Sequence, residues 1–316
     1  MKKTLLIFLI ITGIISATET AGMAGSFLRY GLDARSESLG RASSADVYSA
    51  YSVFYNPATS AAFAERQVMT GMKILAMDRN FAYLSYSQPL DKNAAVTAGI
   101  LYSGTSDIEG RDKAGLQFNT YSYNENLFFL SFGINPKEFL SVGVTAKLIW
   151  CRYPEFDAAE ESVNSLTFAY DAGALFSIPS YEGLFFGISA RNVKGKNSWD
   201  SSGVWSDGSS SDDYYPATYS LAISWKPVFN PELGIFGEIN SHDFKGANYG
   251  LGIEWEKEFS DKNFIALRTG TISGSMSFGF GYGFFVMDKK MIIDYSYTNE
   301  GIADFDPHSL SWRFFF

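Results

Sequence analysis

The sequence is poor in the residues that build metal centres and disulfides. Its 316 residues include one cysteine, Cys151. A lone cysteine closes no disulfide and forms no Cys-based zinc site within one chain. The two histidines, His242 and His308, stand far apart, so the usual transition-metal ligands are nearly missing. Basic residues are also scarce, 25 Lys+Arg against 34 Asp+Glu, for a net charge of −9. That excludes the ordinary nucleic-acid binder, which needs a basic face to displace counterions. No Gly-x-Ser-x-Gly elbow is present. A hydrolase would need a His-activated serine, yet His308 falls at a predicted strand start and His242 in a predicted loop. "GFGYG" lacks the Lys-Ser/Thr of a phosphate loop and lies in a strand pattern. Neither an enzyme nor a cofactor is expected.

Long apolar runs are missing too, with one exception. Met1-Lys2-Lys3 precedes "TLLIFLIITGII", an apolar core too short for a comfortable membrane span, so residues 1–21 read as an export signal. Cleavage is expected between 17 and 24, at Ala17 or near Ala24. The alternative is an uncleaved anchor. No cysteine lies nearby to make a lipoprotein.

Aromatics (17%) and glycine (29 residues) are abundant, and from Gln67 onward they alternate. In "SMSFGFGYGFF", Met276, Phe278, Phe280, Tyr282 and Phe284 share one face, while Ser275, Ser277, Gly279, Gly281 and Gly283 share the other. Successive side chains of a strand point to opposite faces. Val142, Val144, Ala146, Leu148 and Trp150 alternate with Gly143, Thr145, Lys147 and Ile149 in the same way. The pattern predicts about 14 strands, over 67–77, 80–88, 94–103, 122–134, 139–151, 165–178, 184–193, 216–226, 232–241, 248–258, 263–272, 275–287, 291–299 and 309–316. Several exceed the usual soluble strand of about 5–6 residues and suit a tilted membrane crossing of about 9–11. Within "LFFLSFGI" both faces are apolar, which leaves its orientation open.

Two architectures fit such alternation. In a soluble sandwich the aromatic face is the core. In a transmembrane barrel it meets lipid, and the small and charged residues line the lumen. The high even strand number, the export signal and the ending "LSWRFFF" point to the barrel. The ending sets Leu310, Trp312, Phe314 and Phe316 on one face, like the terminal strand signal that the barrel-assembly machinery reads. The connections agree. "PLDKN", "NPKE", "PSYEG", "PVFNP", "SDK" and "DKK" are compact turns, whereas 104–121, 152–164, 194–215 and 300–308 are long and fall on the opposite side. The expected class is therefore all-β: a 14-stranded antiparallel transmembrane barrel over 67–316, in a bacterial outer membrane and in contact with its lipid, with periplasmic N- and C-termini.

A ring of that size is wider than the roughly eight strands that side chains alone fill. Residues 22–66 are the one unassigned block, so they are expected to plug the lumen. "DARSESLGRASSADVYSA" predicts a short, weakly amphipathic helix through Leu39, Ala42, Ala45 and Val47. Tyr55-Asn56-Pro57-Ala58 follows as a rigid turn, because proline fixes its own φ and restricts its predecessor.

"AGSFLRYGLDARSESLGRASSADVYSAYSVFYNPATSAAF" resembles the N-terminal signature of the FadL superfamily of outer-membrane barrels, most closely its PorV/PorQ branch. "LSVGVTAKLIWCRY", "YDAGALFSIP" and "LFFGISARNVKG" resemble its middle strands. The resemblance implies a 14-strand barrel with an N-terminal hatch, in which Tyr55, Asn56, Pro57 and Ala58 are hatch residues. Thr59 departs from the family, which often has Gly there. FadL-type members pass fatty acids and other hydrophobic molecules, while PorV-type members handle secreted proteins in type IX secretion. Passage of hydrophobic small molecules is the expected function, with a secretion accessory as the alternative and a purely structural barrel as the third reading.

The expected lumen charges are Lys147, Asp171, Arg191, Lys226, Glu238, Glu254, Glu256, Arg268, Asp294 and Arg313. They either hold the plug or a substrate carboxylate, or pair among themselves in a hydrated lumen. Arg35 and Arg41 are expected to pair with lumen acids. Gly99 and Gly104 mark a possible strand kink or simple lumen packing. "DGSSSDD", Asp207 to Asp213, lacks the spacing of a calcium loop and reads as a solvated exterior loop.

Overall fold

The computed structural model describes residues 23–91, 93–152, 163–200, 202, 208–260, 263–299 and 305–316. The export signal expected over 1–21 lies outside them. Fourteen strands close into one antiparallel barrel. In chain order they begin with β1 (Gln67–Ile74), β2 (Arg79–Asp91), β3 (Ala94–Arg111), β4 (Gln117–Lys137), β5 (Leu140–Arg152), β6 (Asn164–Ser177) and β7 (Leu184–Val193). A separate two-stranded hairpin, β8 (Lys196–Asp200) and β9 (Ser210–Tyr214), interrupts the ring order. The ring resumes with β10 (Thr218–Trp225), β11 (Leu233–His242), β12 (Lys245–Ser260), β13 (Asn263–Ile272), β14 (Ser275–Val286), β15 (Lys289–Asn299) and β16 (His308–Phe315). β16 pairs with β1, from Gln67 against Phe315 to Ile74 against His308, and this seam leaves no open edge.

The alternation reads out as expected. Phe278, Phe280, Leu221, Ile223, Leu251 and Ile253 are exposed, while their neighbours Ser277, Ser220 and Ser224 are buried. In water such a belt of exposed apolar side chains would be costly, and in hydrocarbon it is the low-energy surface. The barrel is therefore a membrane-spanning one. The ambiguous "LFFLSFGI" segment sends Leu127, Phe129 and Ser131 inward and Phe128, Leu130 and Phe132 outward. Leu127 and Phe129 of the inward set are apolar because they also meet an apolar partner, described below.

Two expected loops contain strand. β3 and β4 run on past 103 and before 122 and pair from Ile108–Tyr121 to Arg111–Gln117. These residues are mostly polar, with only isolated apolar side chains such as Ile108 and Phe118, so hydrophobic alternation could not reveal them. Residues 194–215 likewise hold the β8–β9 hairpin.

Residues 26–63 are inside the ring. Short 3-10 turns span Ser26–Arg29, Ala50–Phe54 and Pro57–Ala62, and one α-helix, α1, spans Ala34–Ser38. The helix is shorter than the pattern suggested. Gly40 and Arg41 both adopt left-handed backbone, at φ 65° and 59°, which ends it directly after Leu39. Its start is capped by Asp33, whose carboxylate accepts the Ser36 N–H at 3.1 Å.

Candidate functional site

The Asn56-Pro57-Ala58 step is a docking joint. Asn56 Oδ1 accepts the Ala58 N–H at 3.1 Å, and its Nδ2 donates to the carbonyls of Ser44 at 2.7 Å and Ala174 at 3.1 Å. One side chain thus closes its own turn, ties it to another arm of the plug and fixes it to β6. Pro57 occupies the first position of the following 3-10 turn, where it has no N–H to leave unsatisfied. Thr59 serves the same turn, donating its hydroxyl to the Asn56 carbonyl at 2.8 Å.

The wall beneath is built for this approach. Gly133, Gly143 and Gly173 stand in register on β4, β5 and β6. A Cβ on Gly143 would lie 2.5 Å from the Ala58 nitrogen, and one on Gly133 would lie 2.9 Å from the Pro57 carbonyl oxygen. Backbone lies against backbone here, so only glycine fits. A second platform, Gly252 on β12 and Gly270 on β13, carries the Leu39-Gly40 turn across the lumen.

Between these platforms the lumen has two characters. Over β12–β16 and β1 it is ionic. Arg35 of α1 grips Glu254 with two nitrogens, at 3.0 and 3.1 Å, and also pairs with Asp46. Glu254 takes Arg268 at 2.6 Å and Lys226 at 2.8 Å. Arg268 continues to Asp294 at 2.7 Å, with Arg313 at 3.7 Å from the same carboxylate. Glu256 lies 3.9 Å from Lys226. Glu238 of β11 accepts two plug amides, Ser43 N–H at 3.1 Å and Ser44 N–H at 2.9 Å. The lumen acids and bases thus hold the plug as well as one another.

Over β1–β6 the wall is mainly apolar. Phe27, Leu28, Leu32, Tyr51, Phe54 and Tyr55 of the plug pack on Met69, Phe81, Tyr83, Leu101, Leu127, Phe129 and Ile149. Phe54 meets Phe129 edge-on at 6.3 Å, and Tyr51 meets Tyr83 at 5.5 Å. Tyr55 also accepts the Leu32 N–H at 2.7 Å, so it joins the two arms of the plug. Lys147 and Asp171 pair at 2.7 Å within this side, with the ammonium 5.0 Å from the Phe54 ring. Arg191 stacks over Tyr55 at 5.3 Å.

The expected residues fall out as follows. Arg35 reaches a lumen acid, and Arg41 pairs with Glu37 of the plug at 3.1 Å, while Glu37 in turn takes Lys73 from β1. Pairing runs unbroken through Gly99 and Gly104, and the β3–β4 register first shifts between Thr105 and Ile108. A Cβ at Gly99 would meet Phe129 at 2.6 Å, which is a packing role. In "DGSSSDD", Asp207 lies outside the described residues. Asp212 binds Lys196 at 2.6 Å, and Asp213 accepts from Trp199 Nε1 at 2.8 Å. Their carboxylates bind the hairpin together. His242 ends β11 and meets the Thr218 hydroxyl at 2.9 Å. His308 lies among Tyr295, Tyr297 and Phe305.

Sequence reasoning missed Asp33, Glu37, Asp46, Lys73 and Lys290. Lys290 was expected in the turn "DKK", yet it belongs to β15 and shares the inward face of Ile292 and Asp294. The period-two rule would have found it had the strand been started one residue earlier. Lys73 follows Met69 and Gly71 on the inward face of β1 by the same rule.

Burial pushes the Asp33 carboxyl up to about 6, despite the hydrogen bonds from Ser36 that oppose it. Burial acts the same way on Glu37, but the Arg41 and Lys73 charges beside it prevail and bring it down to about 2.

No protein-family model matches the sequence, and neither does any curated protein. Solved structures match the fold. The toluene transporter TbuX of Ralstonia pickettii is 12% identical, with a TM-score of 0.61 over 90% of this chain and 97% of that one. The toluene transporter TodX of Pseudomonas putida is also 12% identical, with a TM-score of 0.59 over 90% and 96%. A FadL homologue of Pseudomonas aeruginosa is 10% identical, with a TM-score of 0.57 over 89% and 98%. At such identities the likeness is one of fold: a closed barrel of FadL type.

Proposed function

We propose that the protein is an outer-membrane channel for hydrophobic small molecules, closed at rest by its N-terminal segment. The observation that carries this reading is the unequal seating of the plug. Its aromatic face lies on the apolar wall of β1–β6, and its charged face is locked into β12–β16 and β1. An apolar molecule can replace apolar contacts at little cost, because both partners stay out of water. The ionic face cannot part without stranding buried charges. Opening therefore belongs to the Phe54 side, with Asn56 as the pivot. The names of the structures sharing the fold, two toluene transporters and a FadL homologue, support the same substrate class. The secretion-accessory reading draws on no comparable observation. The termini are assigned to the periplasmic end, beside the short turns, with the β3–β4 arm outside.

Native mass spectrometry of the protein gently extracted from its own outer membrane tests this. The expected result is an apolar molecule released at defined stoichiometry. Co-purified exported proteins with no small ligand would move the assignment to secretion.

A further inference from the structure

Between the ionic and the apolar sides, β7, β10 and β11 form a third sector of the wall. Its inward face carries three rows in register. Arg191, Thr218 and His242 form the first, Ser189, Ser220 and Asn240 the second, and Gly187, Ala222 and Glu238 the third. The plug crosses the third row. Glu238 accepts the Ser43 and Ser44 amides there, and a Cβ on Gly187 would lie 2.2 Å from the Ser44 carbonyl oxygen.

The cation of the first row has no partner. Arg191 is only 7% exposed, and among the described residues its guanidinium makes no ion pair and no hydrogen bond. A β-bulge explains why. The β6–β7 register shifts between Tyr170 and Ala172, and Asn192 takes left-handed backbone at φ 58°. Neighbours in a regular strand face opposite ways, yet Arg191 and Asn192 are both buried, because the bulge re-aims one of them. Asp171, the acid at hand, is then fully engaged. Its Oδ1 accepts the Asn192 N–H at 2.8 Å, and its Oδ2 lies 2.7 Å from Lys147 Nζ. Asn192 Oδ1 accepts from the same ammonium at 2.8 Å. Lys147 and His242 are also close enough to feel the Arg191 charge, and neither offsets it.

A second observation lies one row away. The hydroxyls of Ser189 and Ser220 are buried without a partner. The two residues are directly opposed across β7 and β10, a position where Cβ atoms stand about 4.5–5.5 Å apart. Ser189 shares the face of Arg191, two residues along the strand. Both hydroxyls can turn toward one point beside the Arg191 Nε, which has no acceptor either. On the plug, the Ser43 and Ser44 hydroxyls are unpartnered as well. A buried cation among unmade donors calls for an anion. Water would satisfy the hydroxyls and leave the charge unbalanced.

We infer that a single monatomic anion of the chloride class sits between Arg191 Nε, Ser189 Oγ and Ser220 Oγ, as the counter-ion of the buried guanidinium. One surplus charge matches a monoanion. The Tyr55 ring covers the guanidinium face at 5.3 Å, so its edge is what remains to donate. Neither the serine row nor the Ser43-Ser44 crossing offers an apolar bed for an organic acid. The site does not depend on passage of any molecule through the ring.

The test uses the full-length protein in a non-ionic detergent and the NMR linewidth of chloride, which broadens when the ion exchanges with a protein site. Saturable broadening is expected, reversed by bromide and not by gluconate at matched ionic strength. Arg191→Gln should weaken chloride by about tenfold or more, and so should Ser189→Ala combined with Ser220→Ala, which leaves every charge in place. Heat-modifiable migration on gels checks that each variant keeps the barrel, and the serine pair decides the matter should Arg191→Gln fail to fold. In crystals soaked in bromide, an anomalous peak should lie between Arg191 Nε and the two serine hydroxyls. The assignment is overturned by native-like broadening in the serine variant, by the lack of any saturable broadening, or by water alone at that point in the bromide-soaked crystals.

Discussion

The two sides of the lumen solve one problem by different physics. Both must hold a plug against a ring that cannot fill itself. On the ionic side a few buried charges do so: Arg35, Glu254, Arg268 and Asp294 form an unbroken chain from plug to wall. On the apolar side many weak contacts do so, around Phe54, Tyr51 and Phe129. Buried ion pairs are brittle, because removing one member leaves the others desolvated and unmatched. Apolar packing is forgiving, because any apolar body of the right size restores it. Under the proposed function, the contrast makes one side an anchor and the other a gate.

The sharpest way to break the contrast is Glu254→Gln. It removes the carboxylate that Arg35, Lys226 and Arg268 share, and should loosen the plug by about 3–5 kcal/mol. Hydrogen exchange over residues 34–46 should rise while the strands stay protected, and added toluene should not reverse it. Phe54→Ala is the counterpart, at about 3 kcal/mol. There the exchange of residues 50–63 should rise, and toluene should restore part of the protection by filling the space. If toluene rescued both variants alike, the two sides would not differ in kind. Asn56→Ala comes next, at about 1–3 kcal/mol, because the Ser44 and Ala174 carbonyls lose a buried donor. It should loosen both arms of the plug together.

The smallest effect is on pH, and its two signs are opposite. Asp33, raised to about 6, favours the seated plug fully below its unfolded value near 3.8, and that contribution is lost as pH rises through about 6. Glu37, lowered to about 2, stabilises above its unfolded value near 4.5, and that is lost as pH falls toward about 2. Plug protection should therefore peak near pH 4–5. Asp33→Asn should flatten the decline between about 4 and 6 and leave the acid limb unchanged.

The ring was legible in the sequence because lipid enforces alternation on every strand. Phe278 and Gly279 could not exchange faces without placing a phenyl ring against Ser38. The joint at Asn56-Pro57-Ala58 was legible as a turn, but the glycines that receive it were not. Gly133, Gly143 and Gly173 are distant in sequence and meet only through register. The polar arm of β3 and β4 was invisible because it has no apolar face to mark it. Lys290 was lost because Asp288-Lys289-Lys290 has the composition of a turn, although Lys290 continues the inward row of Ile292 and Asp294.

The most direct test of the central claim is uptake of radiolabelled toluene by cells with an intact lipopolysaccharide barrier and no hydrocarbon channel of their own. The native chain should raise the initial rate several-fold over cells carrying an empty vector, and Phe54→Ala should raise it further. Uptake no faster than in the empty-vector cells, for both the native chain and Phe54→Ala, would contradict the account.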